Sequence, residues 1–141
     1  MTLQDLNRYL SLCKQLDKAR ESLLDLQDAA VPGAQVLTGM PHTPGVKDKV
    51  GNLAIEIADT KDEIAKMERE IEVLADDVDT FIKTIPYVEL RTIFRLRYFR
   101  FLSWEDIAEV FRWRLSESTL RRRVERYMAK IESGDSSDVQ E

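Results

Sequence analysis

Cysteine and histidine are almost absent from this sequence of 141 residues, which contains one of each. A single cysteine, Cys13, excludes an intramolecular disulfide and a cysteine-rich metal site. The only histidine, His42, stands in a proline-flanked stretch with no second ligand nearby, so neither a zinc site nor a histidine-based triad is indicated. No glycine-rich loop of the phosphate-binding kind is present. We therefore expect no metal, no cofactor and no enzymatic activity.

Long apolar runs are also missing. The sequence has no stretch of eighteen apolar residues and no charged-then-apolar leader of the secretory kind. We therefore expect a chain that does not enter a membrane and that stays in a reducing cytoplasm.

Proline and glycine are scarce except in one segment. Residues 31–46, VPGAQVLTGMPHTPGV, hold three of the four prolines and three of the five glycines, which predicts an irregular connection over residues 30–46. On both sides of it apolar residues recur at steps of three and four. The pattern predicts an all-α protein whose residues 1–83 form a helical hairpin arm, with helices over about residues 3–29 and 46–83.

The second of these helices carries a heptad repeat. At about 1.5 Å per residue it would be roughly 55 Å long, too long to be covered by a small domain alone. The first helix, folded back as a hairpin, or a second copy of the chain, joined as a coiled coil through residues 50–82, can cover this seam, and the two arrangements are compatible. The seam residues are Leu53, Ile57, Ile64, Met67, Ile71, Leu74 and Val78.

Charge is divided unevenly along the chain. Residues 1–82 contain nine lysines and arginines against sixteen acids, whereas residues 83–132 contain twelve against seven, and ten of those twelve are arginine. Arginine binds phosphates and guanine edges through a planar fork of donors. Residues 133–141 carry three acids, no base and no apolar pattern, and we expect a disordered acidic tail there. An acidic arm therefore precedes a basic head.

The head, predicted over residues 84–132, begins after Pro86 has ended the heptad repeat. An amphipathic helix rich in arginine comes first. Ser103 and Ser116 then stand where they can cap two further helices, which are separated only by RWRL. Two short capped helices in this spacing predict a helix-turn-helix. We expect Trp104 and Trp113 to line its small core.

The last helix of the head has a basic outer face. With Leu120, Val124 and Tyr127 directed inward, its outward residues near the start are those that a recognition helix inserts into the major groove. The candidates for base edges are Ser118, Arg121 and Arg122. The candidates for phosphates are Arg112, Arg114, Ser116, Thr119, Arg123 and Arg126. A solvated basic surface without function is the alternative.

Two stretches, LRTIFRLRYFRFLSWEDIAEVF and LSESTLRRRVERYM, resemble the helix-turn-helix of sigma-factor region 4. Together with LTGMPHTPGVKDKVGNLAIEIADTKDEI, residues 37–64, they are similar to small phage and prophage regulators of the ArpU/RinA type. Here two additional residues separate the capped helices, and the usual turn glycine is absent.

This resemblance implies a regulator that binds double-stranded DNA, and more specifically an activator of late or packaging genes in the cytoplasm of a bacterial host. We expect the helical arm of such a regulator to serve for dimerisation or for contact with RNA polymerase. Two alternatives stay open. One is a terminase small subunit that binds packaging-site DNA, and the other is a helical adaptor that grips an acidic protein instead of DNA.

Overall fold

The computed structural model describes residues 1–31 and 52–134, and this part of the chain is entirely helical apart from its connections. The predicted all-α class is confirmed. None of the helices within the described ranges is long and apolar enough to cross a membrane. In chain order they are α1 (Leu3–Ala30), α2 (Ala54–Lys83), α3 (Val88–Tyr98), α4 (Trp104–Val110) and α5 (Glu117–Ser133).

The described residues bear on three predicted boundaries. The second long helix begins at Ala54 and not near residue 46, and its first intrahelical bond runs from the Ile57 N–H to the Leu53 carbonyl. Most of the predicted loop over residues 30–46 falls on residues 32–51, which lie outside the described residues. His42 lies outside them too. At the other end α5 includes Ser133, and Gly134 caps it in the left-handed conformation that glycine adopts without strain. The rest of the predicted tail lies outside the described part of the chain.

The chain divides into two compact units. Among the described residues, the head unit consists of residues 1–11 and 72–134, and the arm unit of residues 12–31 and 52–71. The predicted boundary at residue 84 therefore falls inside the head unit. The physical reason is burial, because Leu6 of α1 and Val78 and Ile82 of α2 are fully buried in that unit.

Aromatic packing forms the centre of the head unit. α3, α4 and α5 pack against one another, and the Phe94 ring lies 5.7 to 6.0 Å from the rings of Phe81, Tyr98 and Tyr127. Centroid separations of this size are favourable for offset and edge-to-face pairs. Burial raises the pKa of Tyr98 to about 12, because the core disfavours the charged phenolate.

The first turns of α1 belong to the same core. Tyr9 lies 6.4 Å from Phe99 and 6.2 Å from Phe101, measured between ring centroids. The backbone N–H of Leu3 donates to the Glu132 carboxylate of α5 at 3.2 Å. These contacts attach the beginning of the chain to the end of α3 and the end of α5.

In the arm unit, an exposed ion pair joins α1 to α2, and each helix has a buried apolar residue. Leu16 of α1 and Ile64 of α2 are buried, and Arg20 donates to Glu68 at 2.9 Å. Both α1 and α2 contribute residues to both units. The other seam residues of this unit are only half-buried: Leu53, Ile57, Met67 and Ile71.

Two valines of α2 test how the seam contributes to stability. Val78 is fully buried, whereas Val73, on the same helix, is 63% exposed. We expect Val78→Ala to lower the free energy of unfolding by about 2 kcal/mol, because two buried methyl groups are lost and a cavity is left. Val73→Ala should change it by no more than about 0.5 kcal/mol. Urea unfolding followed by circular dichroism measures both free energies. Equal effects of the two substitutions would contradict the assignment of Val78 to the buried seam and of Val73 to the surface.

Candidate nucleic-acid interface

The two predicted helix caps frame the candidate site. The Ser103 hydroxyl accepts a hydrogen bond from the Asp106 backbone N–H at 3.1 Å, and the Ser116 hydroxyl accepts one from the Thr119 N–H at 3.2 Å. Both predicted caps are thereby confirmed. The hydroxyls of Ser116 and Thr119 also lie 2.9 Å apart. They are engaged with each other at the start of α5, and their contact with a phosphate stays a prediction.

Apolar periodicity determines which face of α5 is outward. Leu120, Val124 and Met128 are buried, with no more than 1% of their surface exposed. The three base-edge candidates, Ser118, Arg121 and Arg122, are all exposed on the other side of the helix. They share a shallow open cavity of about 300 Å³ lined by Trp104, Glu117, Ser118, Arg121, Arg122 and Glu125. The structure thus brings the predicted base-contacting residues together on one surface.

The arginines of α5 differ in how far their charge is already compensated. The Arg121 Nε donates to Glu125 at 3.0 Å across one helical turn, an exposed pair of modest strength. Arg122 and Arg126 are exposed and form no ion pair within residues 1–31 and 52–134. Their guanidinium groups are therefore available to an external anion.

Two other phosphate candidates meet at one carboxylate. Glu89 of α3 accepts a hydrogen bond from Arg123 of α5 at 2.7 Å and one from Arg114 of the turn at 2.9 Å. These hydrogen bonds, the one from Arg123 first, lower the pKa of Glu89, so it is ionised at neutral pH. The Arg114 side chain is still 60% exposed, whereas that of Arg123 is 17% exposed. Arg123 lies against α3 and not at the flank of the site, which disfavours its predicted role at a phosphate.

The turn between α4 and α5 has an unusual backbone. Arg112 and Trp113 both adopt left-handed conformations, with φ of 54° and 59°, and the Trp113 N–H donates to the Ala108 carbonyl at 2.8 Å. Residues with a Cβ adopt this region at a cost of about 1–2 kcal/mol each. This segment contains no glycine, so ordinary residues adopt its left-handed backbone.

The two tryptophans have different environments. Trp113 is 57% exposed, so the prediction that both tryptophans line the core is wrong for this residue. Trp113 lies in the left-handed turn, after α4 has ended at Val110. Trp104 is half-buried, and the Arg97 guanidinium lies 4.7 Å from its ring centroid in a cation–π contact. Arg97 also donates to the Leu102 carbonyl at 3.0 Å.

Sequence reasoning missed Glu89. A signal was present, because Glu89 is the only acid between residues 84 and 104, a stretch that contains four arginines. A lone carboxylate in an arginine-rich helix is a natural centre for ion pairs. Its actual partners lie 25 and 34 residues away along the chain, so the sequence pattern did not identify them.

Metal binding has no support in the described ranges, where no three histidine, cysteine, aspartate or glutamate side chains are grouped to hold an ion. Comparison with models of protein families, with curated proteins and with solved structures finds no match.

The turn offers a direct test of its strain. We expect Arg112→Gly to be more stable than Arg112→Ala by about 0.5–1 kcal/mol, because glycine adopts the left-handed conformation without a Cβ clash. The greater conformational freedom of glycine in the unfolded chain offsets part of this gain and is included in the estimate. Both variants remove the guanidinium, so charge and contacts cancel in the comparison. Thermal unfolding of the two variants measures the difference, and a less stable glycine variant would show that the turn is not left-handed there.

Proposed function

We propose that this chain is a non-enzymatic, sequence-specific regulator that binds double-stranded DNA and inserts α5 into the major groove. The observation that carries the proposal is the surface of α5. Its apolar stripe is buried, and Ser118, Arg121 and Arg122 are exposed together near its capped start. Outward residues near the start of the second helix are those that read bases in a helix-turn-helix.

The roles of the side chains follow from their environments. Ser118, Arg121 and Arg122 contact base edges, with arginine on guanine as the commonest specific pair. Arg112, Arg114 and Arg126 contact phosphates, with Ser116 and Thr119 at the start of α5. Arg121 has to exchange Glu125 for a base, at a cost of less than about 1 kcal/mol for an exposed pair. We do not assign Arg123 to a phosphate, because Glu89 and α3 cover it.

The biological setting is taken from the resemblance to region-4-like phage regulators. On that basis the regulated genes are late or packaging genes of a phage or prophage, the effect is activation, the arm contacts a second copy or RNA polymerase, and the site of action is the cytoplasm of the bacterial host.

The proposal is tested by a selection on random duplexes and on fragments of phage and host DNA, retained by the purified protein at two salt concentrations. We expect a sharp motif that survives the higher salt, upstream of a block of genes. A motif beside a packaging site, bound by a ring-shaped oligomer, would favour a terminase small subunit. Retention without a motif, lost at higher salt, would contradict specific reading and favour an adaptor with an acidic protein partner.

Single substitutions separate the two kinds of contact on the selected motif. Arg122→Ala should lower the preference for the motif by about 1–3 kcal/mol if the side chain reads a base. Arg126→Ala should weaken binding to all sequences alike and lower the salt slope by about one if it holds a phosphate. Both effects are measured by fluorescence anisotropy over a salt series.

Arg95→Ala is the matched control for these two variants, because Arg95 is exposed on α3 and outside the proposed surface. Equal losses for Arg95→Ala, Arg122→Ala and Arg126→Ala would mean that only overall charge matters, and the recognition surface would be wrong.

We further propose that the arm forms a homodimer or higher oligomer through residues 50–82. Support comes from the seam residues of the arm unit that one chain leaves half-buried, such as Ile57. A second copy presents the same heptad seam. Association of the two seams would bury the apolar surface that is still accessible, and this burial lowers the free energy of the oligomer.

Two isoleucines of α2 test this arrangement. We expect Ile57→Glu to lower the oligomer mass in sedimentation, because it places a charge on the seam. Ile55→Glu, at a residue that is 70% exposed, should leave the mass unchanged. A wild-type chain that sediments as a monomer would restrict the seam to the intramolecular hairpin.

A further inference from the structure

One carboxylate holds three separate segments of the head unit together. Glu89 on α3 binds Arg114 in the turn at 2.9 Å and Arg123 on α5 at 2.7 Å. We call these three residues the Glu89 clamp. Its members do not contact the cavity on the outward face of α5, which has its own lining of side chains. The clamp is therefore separate from the residues proposed to touch DNA bases.

The clamp acts at the point where the turn is strained. Arg114 directly follows the two left-handed residues, Arg112 and Trp113. Strained backbone persists only when its surroundings hold it in place. The charge-assisted bond from Arg114 to Glu89 fixes the end of this strained turn to α3. The bond from Arg123 fixes the second helical turn of α5 to the same carboxylate.

We propose that Glu89 is a positioning residue that determines how α5 is presented to DNA, and thereby the sequence discrimination of the protein. This inference rests on the proposed function. A base contact needs a guanidinium placed within hydrogen-bond distance of a specific edge, whereas a phosphate contact tolerates displacement. Loosening the clamp therefore weakens reading of the motif more than it weakens general attraction to DNA.

Simple shielding makes a different prediction. Glu89 also neutralises positive charge, because Arg114, whose side chain is 60% exposed, can offer its other N–H donors to a phosphate while it stays bound to Glu89. If shielding were its only role, removal of the carboxylate charge would strengthen binding to every duplex and leave the ratio between motif and non-motif DNA unchanged. The ratio therefore distinguishes positioning from shielding.

The test compares Glu89→Gln with Glu109→Gln in the full chain. Both variants remove one negative charge from the head at nearly the same size and shape, and Glu109 is exposed on α4 and forms no ion pair in the described part of the chain. The first readout is amide hydrogen exchange over residues 112–118. The second is the ratio of affinities for the selected motif and for a scrambled duplex, over a salt series.

For Glu89→Gln we expect faster exchange over residues 112–118 and a loss of about tenfold in the ratio, the size of one weakened base contact. Its affinity for the scrambled duplex should be equal or higher. Glu109→Gln should leave both exchange and ratio as in the wild type. In an Arg123→Gln background the effect of Glu89→Gln on the ratio should shrink, because the two residues act through the same contact.

Unchanged exchange over residues 112–118 in Glu89→Gln would overturn the clamp, whatever the DNA result. Faster exchange with an unchanged ratio of affinities would overturn the proposal that Glu89 positions α5. The role of Glu89 would then be limited to neutralising the positive charge of Arg114 and Arg123. A wild-type protein that binds motif and scrambled duplexes equally would contradict the proposed function before any variant is compared, and the inference about discrimination would fail with it.

Discussion

The burial of one stripe of α5 is the constraint on which the rest of the head depends. Leu120, Val124 and Met128 are all buried in the folded protein. Each fully buried apolar side chain contributes roughly 1.5–3 kcal/mol to the free energy of folding. A helix has 3.6 residues per turn, so rotating α5 by a single residue would carry Arg121 into the core. Burying an unpaired charge costs far more than such a rotation returns. The packing of this stripe therefore determines the direction of the arginines.

That core is not confined to the small helices. Phe81 near the end of α2 contacts Phe94 and Tyr127, and Tyr9 near the start of α1 contacts Phe99 and Phe101. A segment of about fifty residues buries too little surface to be strongly stable alone. The ends of the long helices supply the missing apolar area, so residues 1–11 and 72–83 belong to the same compact unit as α3, α4 and α5.

Acidic residues within the basic head decide which arginines carry free charge. Glu125 pairs with Arg121 on the outward face of α5. Glu89 of α3 pairs with both Arg114 and Arg123. Exposed pairs of the first kind are weak and exchangeable, whereas the Arg123 side chain of the second pair is only 17% exposed and is less accessible to solvent. A count of lysines and arginines consequently overstates the charge that the head presents, because Arg114, Arg121 and Arg123 are already paired with carboxylates.

Local physics allowed much of this protein to be predicted from sequence: the all-α class, the first long helix over about residues 3–29, the caps at Ser103 and Ser116, and the outward direction of Arg121 and Arg122. Each depends on residues within one or two helical turns. Only the tertiary structure decided the pairing of Glu89 with Arg114 and Arg123, the exposure of Trp113, and the inclusion of residues 1–11 in the head unit. These depend on contacts between segments far apart in sequence, whose partners are selected by the packing of the whole unit and leave no periodic signal in the chain.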